Sequence, residues 1–263
     1  MVYHDDFADY STNEPTMDGT ASMCYYMGYL SKQAQKKTVQ GGIIRGDVND
    51  KKLSLVFTGH EFADGAKTII NTLKKNNVKG TFFLTGDFYR KYQLIVKQLQ
   101  EDGHYMAPHS NKHLLYADWT KRDSTLVTKE EFVADLQNNY IAMSDAGLKI
   151  ESPKYFMPPY EWYNQEVSDW AKEMGVRIVN FTPGTTSNAD YTTPDMKNYR
   201  SSSQINDAIL SFEEKESLNG VLLLLHIGTH PDRTDKMYNK LDKLIKEIKR
   251  RGYELVRIDE LLN

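Results

Sequence analysis

The sequence predicts an α/β fold: a deformed barrel of about seven parallel β/α units, preceded by an N-terminal extension. Two observations predict it. Seven short apolar or β-branched runs recur along the chain, and amphipathic stretches with apolar residues at i, i+3 and i+4 separate them. Strand followed by helix, repeated, requires a parallel sheet, and seven such units close into a barrel more naturally than they stay open. At 263 residues and 40% apolar content the chain can bury the core that this needs.

Residues 1–50 come before the alternation. They hold one helical pattern, around Ala21 to Gln35, and then the loop-like QGGIIRGDVNDKK, and are read as an extension packed on a barrel of residues 51–263. LSLVF (53–57) is the first strand, followed by the helical AKTIINTLKKNN. GTFFLTG (80–86) is followed by RKYQLIVKQLQEDG, and HYMAPH (104–109), after a polar loop, by KEEFVADLQNNYIAMSDAG. YFMPP (155–159) leads to NQEVSDWAKEMG, and RIVNF (177–181) to residues 183–203. That segment is rich in turn formers and too long for an ordinary connection, which marks it as a functional loop. VLLLLHI (221–227) is the most apolar strand. KMYNKLDKLIKEIKRRG then carries the chain to YELVRI (253–258).

Composition excludes several functions. A formal net charge of -3 argues against an electrostatic grip on nucleic acid or anionic membrane. Cys24 is the single cysteine, so neither an intrachain disulfide nor a cysteine-rich metal site can form. No run approaches the roughly 18 apolar residues of a membrane span. The first residues lack the basic and apolar regions of a signal peptide, so a secreted or periplasmic location requires a leader already removed, and otherwise the protein is cytoplasmic. Seventeen Tyr and three Trp suit a flat polar ligand such as a sugar, as well as a core.

The chemistry gathers where strands end. LVFTGHEFADG puts His60, Glu61 and Asp64 at a strand-to-helix junction, the carboxyl edge where α/β sites are built. His109 and His113 follow another strand, and four residues apart on a helical turn they share a face that can grip one divalent ion. His226 ends the most apolar strand, where an imidazole must find a partner or a role. Each also has an ordinary reading. Asp64 before GAKTIINTLKK is a good helix N-cap, His60 and Glu61 suit a solvated loop, and His226 suits a core histidine bonded to backbone.

GTFFLTGDFYRKYQLIVKQLQEDGHYMAPHSNKH resembles the heart of the polysaccharide deacetylase family, the NodB homology or carbohydrate esterase family 4 domain. The family pattern there is T-F-F-x-T-G, then G-H-x-x-x-x-H-[ST]-x-x-H. FMPPY resembles its F-R-P-P-[YF] motif, and VLLLLHI with KRRGYELVRIDELL its last motif and closing strand, so the match runs in order from about residue 53 to 262. The resemblance implies a divalent metal, usually zinc, held by an aspartate and the two histidines, here His109 and His113. It implies attack by a metal-bound water on an N-acetyl or O-acetyl group of a sugar, with a first-motif aspartate as base, His226 as acid, and a backbone N–H near the third motif as oxyanion donor. The metal lowers the pKa of water and polarises the carbonyl, and the donor stabilises charge present only in the transition state.

The sequence departs from the family at two motifs. Where members read T-F-D-D-G, Thr58 and Gly59 occupy the aspartate slots, and Met157 replaces the third-motif Arg that pairs with the base. An Arg left without its carboxylate would be a poorly compensated charge, so the two losses belong together. Sliding the motif to EFADG recovers Asp64 but leaves Ala63 as the base. His60, one residue beyond the ligand slot, would complete a three-histidine site, with Glu61 or Asp64 as base. SNADY stands for the family's D-x-x-D-W, making Asp190 the residue that orients His226, and Tyr160, Trp162, Tyr163, His230 and Arg233 are candidates for sugar contact. The expected function is metal-dependent removal of acyl groups from a carbohydrate. The alternatives are a glycan-binding pseudoenzyme of the same fold and a C–N hydrolase of a small non-peptide amide.

Overall fold

Eight residues of mostly apolar character, β3 (Lys52–Gly59), form the centre of the structure, and the other elements are arranged around them. The computed structural model describes residues 23–27, 36–149 and 154–263. The chain divides into two units, Met1–Lys36 and Lys37–Asn263. In the first, residues 23–27 are helical, and the remainder of the helix expected over Ala21 to Gln35 lies outside the described residues.

The second unit starts with an antiparallel hairpin of β1 (Lys37–Val39) and β2 (Gly42–Arg45). After β3 come α1 (Ala66–Lys75), β4 (Thr81–Leu84), α2 (Gly86–Lys91), α3 (Gln93–Glu101), β5 (Tyr105–Pro108) and α4 (Lys129–Asp145). Then follow β6 (Tyr155–Phe156), α5 (Gln165–Glu173), β7 (Arg177–Ile178), α6 (Ser202–Glu216), β8 (Leu222–His226) and α7 (Leu241–Arg250). The chain closes with β9 (Glu254–Leu255) and α8 (Ile258–Leu261). Thr128 with Glu131, and Ser201 with Gln204, form reciprocal capping boxes that fix where α4 and α6 begin.

β3 pairs in parallel with β4 on one side and β8 on the other, and β5 adds outside β4. The side-chain period of two sorts the residues of these strands. Leu53, Leu55 and Phe57 pack outward with Ile69 and Leu73 of α1 and Leu244 and Ile248 of α7, while Val56, Phe83, Leu222 and Leu224 fill the interior. His226, two residues beyond Leu224, therefore emerges on the interior side at the carboxyl edge.

Single contacts close the ring. β6 and β7 are two residues each. The Met157 N–H donates to the Pro108 carbonyl at 3.4 Å, the Asn180 N–H to Ile43 at 2.8 Å, and the Gly46 N–H to Gly220 at 2.7 Å. β2 thus sits between β7 and β8 as a stave of the barrel, so the expectation of a loop over QGGIIRGDVNDKK is corrected. The boundary between units falls at Lys36, not at residue 50. Gly220 permits the closure: its φ is +70°, and a Cβ there would lie 2.6 Å from the Gly46 carbonyl. The last expected strand, YELVRI, contributes only β9, whose two residues pair with the start of β3 outside the ring. No helix among the described residues is long and apolar enough to cross a membrane.

Candidate active site

The carboxyl ends of β3, β5 and β8 open into a cavity of about 600 Å³. His60, Glu61, His109, His113, Tyr160, His226 and His230 all line it. The long segment over residues 183–203 supplies much of the opposite wall through Asn188, Tyr191, Thr193, Asp195 and Met196.

Asp190 and His226 form its most constrained pair. One carboxylate oxygen accepts from His226 Nδ1 at 2.6 Å and the other from the His226 backbone N–H at 2.9 Å. With Asp190 3% exposed, the pair is shielded from water, and the proton on Nδ1 leaves Nε2 as the free nitrogen. Burial disfavours the imidazolium, but the Asp190 charge and hydrogen bond, with Glu161 nearby, outweigh it and raise the His226 pKa above the ordinary imidazole value. Asp190 lies in a short turn, Ser187–Tyr191. Arg233 holds that turn in place: it is fully buried and donates to the carbonyls of Thr192 at 2.5 Å and Arg200 at 3.0 Å. Arg233 therefore orders the loop and does not face a ligand, which corrects its expected role in sugar contact.

Three imidazoles cluster opposite. The His60 and His113 rings stack at 4.7 Å between centroids, with an interplanar angle of 9°, and His109 meets His113 edge-on at 5.1 Å. His109 Nδ1 donates to the Met157 carbonyl at 2.7 Å, which leaves its Nε2 lone pair free. His60 Nδ1 pairs with Thr85 Oγ1 at 3.2 Å. Burial, with mutual repulsion, drives His109 down to about 3 and His113 to about 2, and burial also lowers His60. His109 and His113 are neutral at physiological pH, the state in which imidazole binds a metal, and His60 shifts in the same direction. His109 and His113 do not share a helical turn as their spacing suggested. Residues 109–116 are irregular, with Ser110 and His113 at positive φ. Asp135 and Asn139 of α4 hold this path: their side-chain oxygens accept the N–H groups of Asn111, Lys112 and His109.

The opening stretch divides its residues. The alternation of β3 points Thr58 inward and Gly59 outward; a Cβ on Gly59 would lie 2.7 Å from Ile227 and 2.8 Å from Leu84, so no carboxylate fits there. Thr58 lines the cavity with a buried hydroxyl that has no partner among the described residues. Glu61 is exposed on the rim, where Lys91 and Tyr92 bond its backbone carbonyl. Asp64 neither caps α1, whose N-cap is Gly65 without a side-chain bond, nor lines this cavity. It pairs with Lys236 at 2.9 Å and accepts from Tyr238 and from the Thr229 N–H, tying the loop after β3 to the loop after β8. Both expected roles for Asp64, catalytic and capping, are corrected by that arrangement.

Aromatic rings form one side of the mouth. Tyr160 lies 4.4 Å from His113 and 5.6 Å from Trp119, and is 46% exposed. Trp162 does not line the cavity; it stacks beneath Trp119 at 5.6 Å, with Arg122 over its ring and its own N–H on the Asp118 carbonyl. Tyr163 is fully buried and donates to Val39, a core role. His230 sits on the opposite rim, half exposed, edge-on to Phe62. Trp119 went unread in the sequence although it follows His113 on the same loop, a position that could have revealed it. Glu161 also went unread. It lines the cavity, and desolvation, opposed by His226 and reinforced by Asp190, pushes its carboxyl up to about 7.

Residues 45–179, just over half of the chain, match the family model described as polysaccharide deacetylase. The chain belongs to the polysaccharide deacetylase family. PgdA of Listeria monocytogenes, a peptidoglycan-N-acetylglucosamine deacetylase, is 27% identical over 212 residues, covering 81% of this chain and 39% of PgdA. YlxY of Bacillus subtilis is 29% identical over 205 residues, covering 78% of this chain and 54% of YlxY. The chain thus spans about half, or less, of the length of these relatives. Among solved structures, BA3943 of Bacillus anthracis, a family pseudoenzyme, superposes with a TM-score of 0.66 at 21% identity, covering 86% of this chain and 70% of that one. At that identity the likeness concerns the fold, and the fold is the NodB-like barrel.

Proposed function

We propose that this deacetylase-family chain is a metal-dependent hydrolase that removes acetyl groups from a carbohydrate. The observation that carries the reading is the buried Asp190–His226 pair facing three imidazoles across one cavity. A histidine whose pKa a buried carboxylate raises is suited to protonating a leaving nitrogen or oxygen. Neutral imidazoles with free Nε2 atoms are suited to a divalent ion such as zinc.

The donor chemistry fits such an ion, with His60, His109 and His113 as the residues that would hold it. Among the described residues no three His, Cys, Asp or Glu side chains already converge on one point. The reason is the His60–His113 stack: parallel rings aim their lone pairs along parallel planes, and one ring must turn for both to face one ion. A bound divalent ion would supply Lewis acidity toward water and toward a carbonyl oxygen. The chain's own groups supply the rest. His226 delivers a proton from Nε2, and Asp190 keeps it oriented. The Tyr160 N–H, in the first turn of Pro159–Glu161 with no backbone acceptor among the described residues, is available to a developing oxyanion. Tyr160 and Trp119 offer ring faces to a pyranose.

A second reading, a glycan-binding pseudoenzyme, is favoured by Thr58 and Gly59 in the aspartate slots and by the unconverged histidines. Acetate release from a panel of acetylated saccharides, with metal analysis of the purified protein, separates the two. The hydrolase reading expects release that stops on chelation and returns with zinc. Saccharide binding without release under every metal tested supports the pseudoenzyme.

A further inference from the structure

We propose that Glu161 is the proton acceptor for the attacking water, replacing the carboxylates missing at residues 58 and 59. The inference rests on the hydrolase reading and supplies the base that reading lacks.

The argument starts with elimination among the carboxylates near the cavity. Asp64 is bound to Lys236 and Tyr238 and lies outside it. Both oxygens of Asp190 are taken by His226. Glu61 is exposed at the rim, Asp232 is 76% exposed beside His230, and Asp195 accepts from Thr193 on the outer loop. Glu161 alone lines the cavity, partly shielded from solvent, within electrostatic reach of His226 and Asp190, and no donor among the described residues bonds to its carboxyl. With no side chain holding it, this carboxyl is left available to a molecule in the cavity.

The backbone is arranged to place it there. Tyr160 and Glu161 are consecutive residues at φ of 59° and 54°, the left-handed region that neither side chain favours. Such strain persists only where the surroundings enforce it, and it gathers at functional sites. Here the Asn180 side-chain amide donates to the Glu161 carbonyl at 2.7 Å, and the N–H groups of Glu161 and Trp162 close onto Pro158 and Pro159.

Burial brings Glu161 to about 7, near where a general base works best. The titratable groups around it are His226 and Asp190, with His60, His109 and His113 lining the same cavity. In the step proposed, the water oxygen bonds to the acetyl carbon as one water proton passes to Glu161. The carbon–nitrogen bond then breaks as His226 protonates the departing amine. Acetic acid and the free amine leave, the acid loses its proton to solvent, and Glu161 returns its proton to His226 through solvent.

The test uses the full chain, zinc-loaded, with an N-acetylglucosamine oligomer. Four readouts are needed: kcat, KM, oligomer binding by calorimetry, and zinc content. Glu161→Gln should lower kcat by about 10²-fold or more, with KM, binding and zinc content essentially unchanged. Glu161→Asp, which keeps the carboxyl on a shorter arm, should recover part of the loss, and it decides the matter if the Gln variant fails to fold. Near wild-type kcat in Glu161→Gln overturns the proposal, as does a loss of zinc parallel to the loss of rate, which would make Glu161 a ligand. An inactive wild-type protein defeats the hydrolase reading itself and this inference with it.

Discussion

Replacing Asp190 with asparagine keeps shape and removes one charge, and its effect follows from the two hydrogen bonds that Asp190 accepts. At 2.6 Å from Nδ1 and 2.9 Å from the His226 N–H, the carboxylate satisfies two donors at once. An asparagine offers one acceptor oxygen, so one donor must face an NH₂ group. Losing a hydrogen bond to a charged group costs about 1.5–3 kcal/mol. The charge attraction, about 4 kcal/mol at an effective dielectric near 20, bounds the total from above and is offset by easier burial of a neutral side chain. A net loss of about 2 kcal/mol below pH 6 is expected, or roughly 4–8 °C in melting temperature for a chain of this size. The sign with pH is fixed by His226, whose folded pKa is raised above its unfolded value. Stability from that shift is fully present below the ordinary imidazole pKa and is lost as pH rises through the folded value. The gap between wild type and Asp190→Asn, measured by urea unfolding at pH 5.5 and pH 9, should therefore narrow at the higher pH. In activity, the alkaline limb that reports the protonated histidine should move to lower pH. An equal gap at both pH values would show that Asp190 does not raise the His226 pKa.

Three further substitutions test the site's parts. His60→Ala should weaken zinc affinity by orders of magnitude, whereas Asp64→Ala, which removes a partly exposed ion pair to Lys236, should leave zinc unchanged and cost about 1 kcal/mol or less; metal titration and thermal melts on both variants read the difference. Trp119→Ala should weaken saccharide binding by about tenfold, the scale of one lost ring contact, with little change in kcat; equal KM in variant and wild type would remove the aromatic wall from the binding account.

The sheet was legible in the sequence because its strands are apolar enough to declare themselves. LSLVF, TFFL and LLLLH each pack on both faces, and the most apolar of them, ending in His226, marked the carboxyl edge. The hairpin was not legible. Its strand signal is the short IIR behind paired glycines, and what makes it a stave is the distant Gly46–Gly220 contact. The histidine pair was read in the right place with the wrong backbone, since Asp135 and Asn139, more than twenty residues downstream, set that loop. Asp64 had every local mark of a cap, and Lys236 and Tyr238 took it from the far side of the chain. Glu161 left no trace, because its burial depends on a left-handed turn without glycine among residues that read as an aromatic wall.

His226 decides between hydrolase and binding module most directly. The measurement is acetate release and oligosaccharide binding, side by side, for the zinc-loaded wild type and His226→Ala across pH 5 to 9. The proton-donor account predicts release by the wild type, and a variant that binds saccharide and zinc nearly as well yet turns over about 10²-fold more slowly or worse. A wild type that binds the acetylated glycan and releases no acetate at any pH, with His226→Ala binding equally, would contradict it.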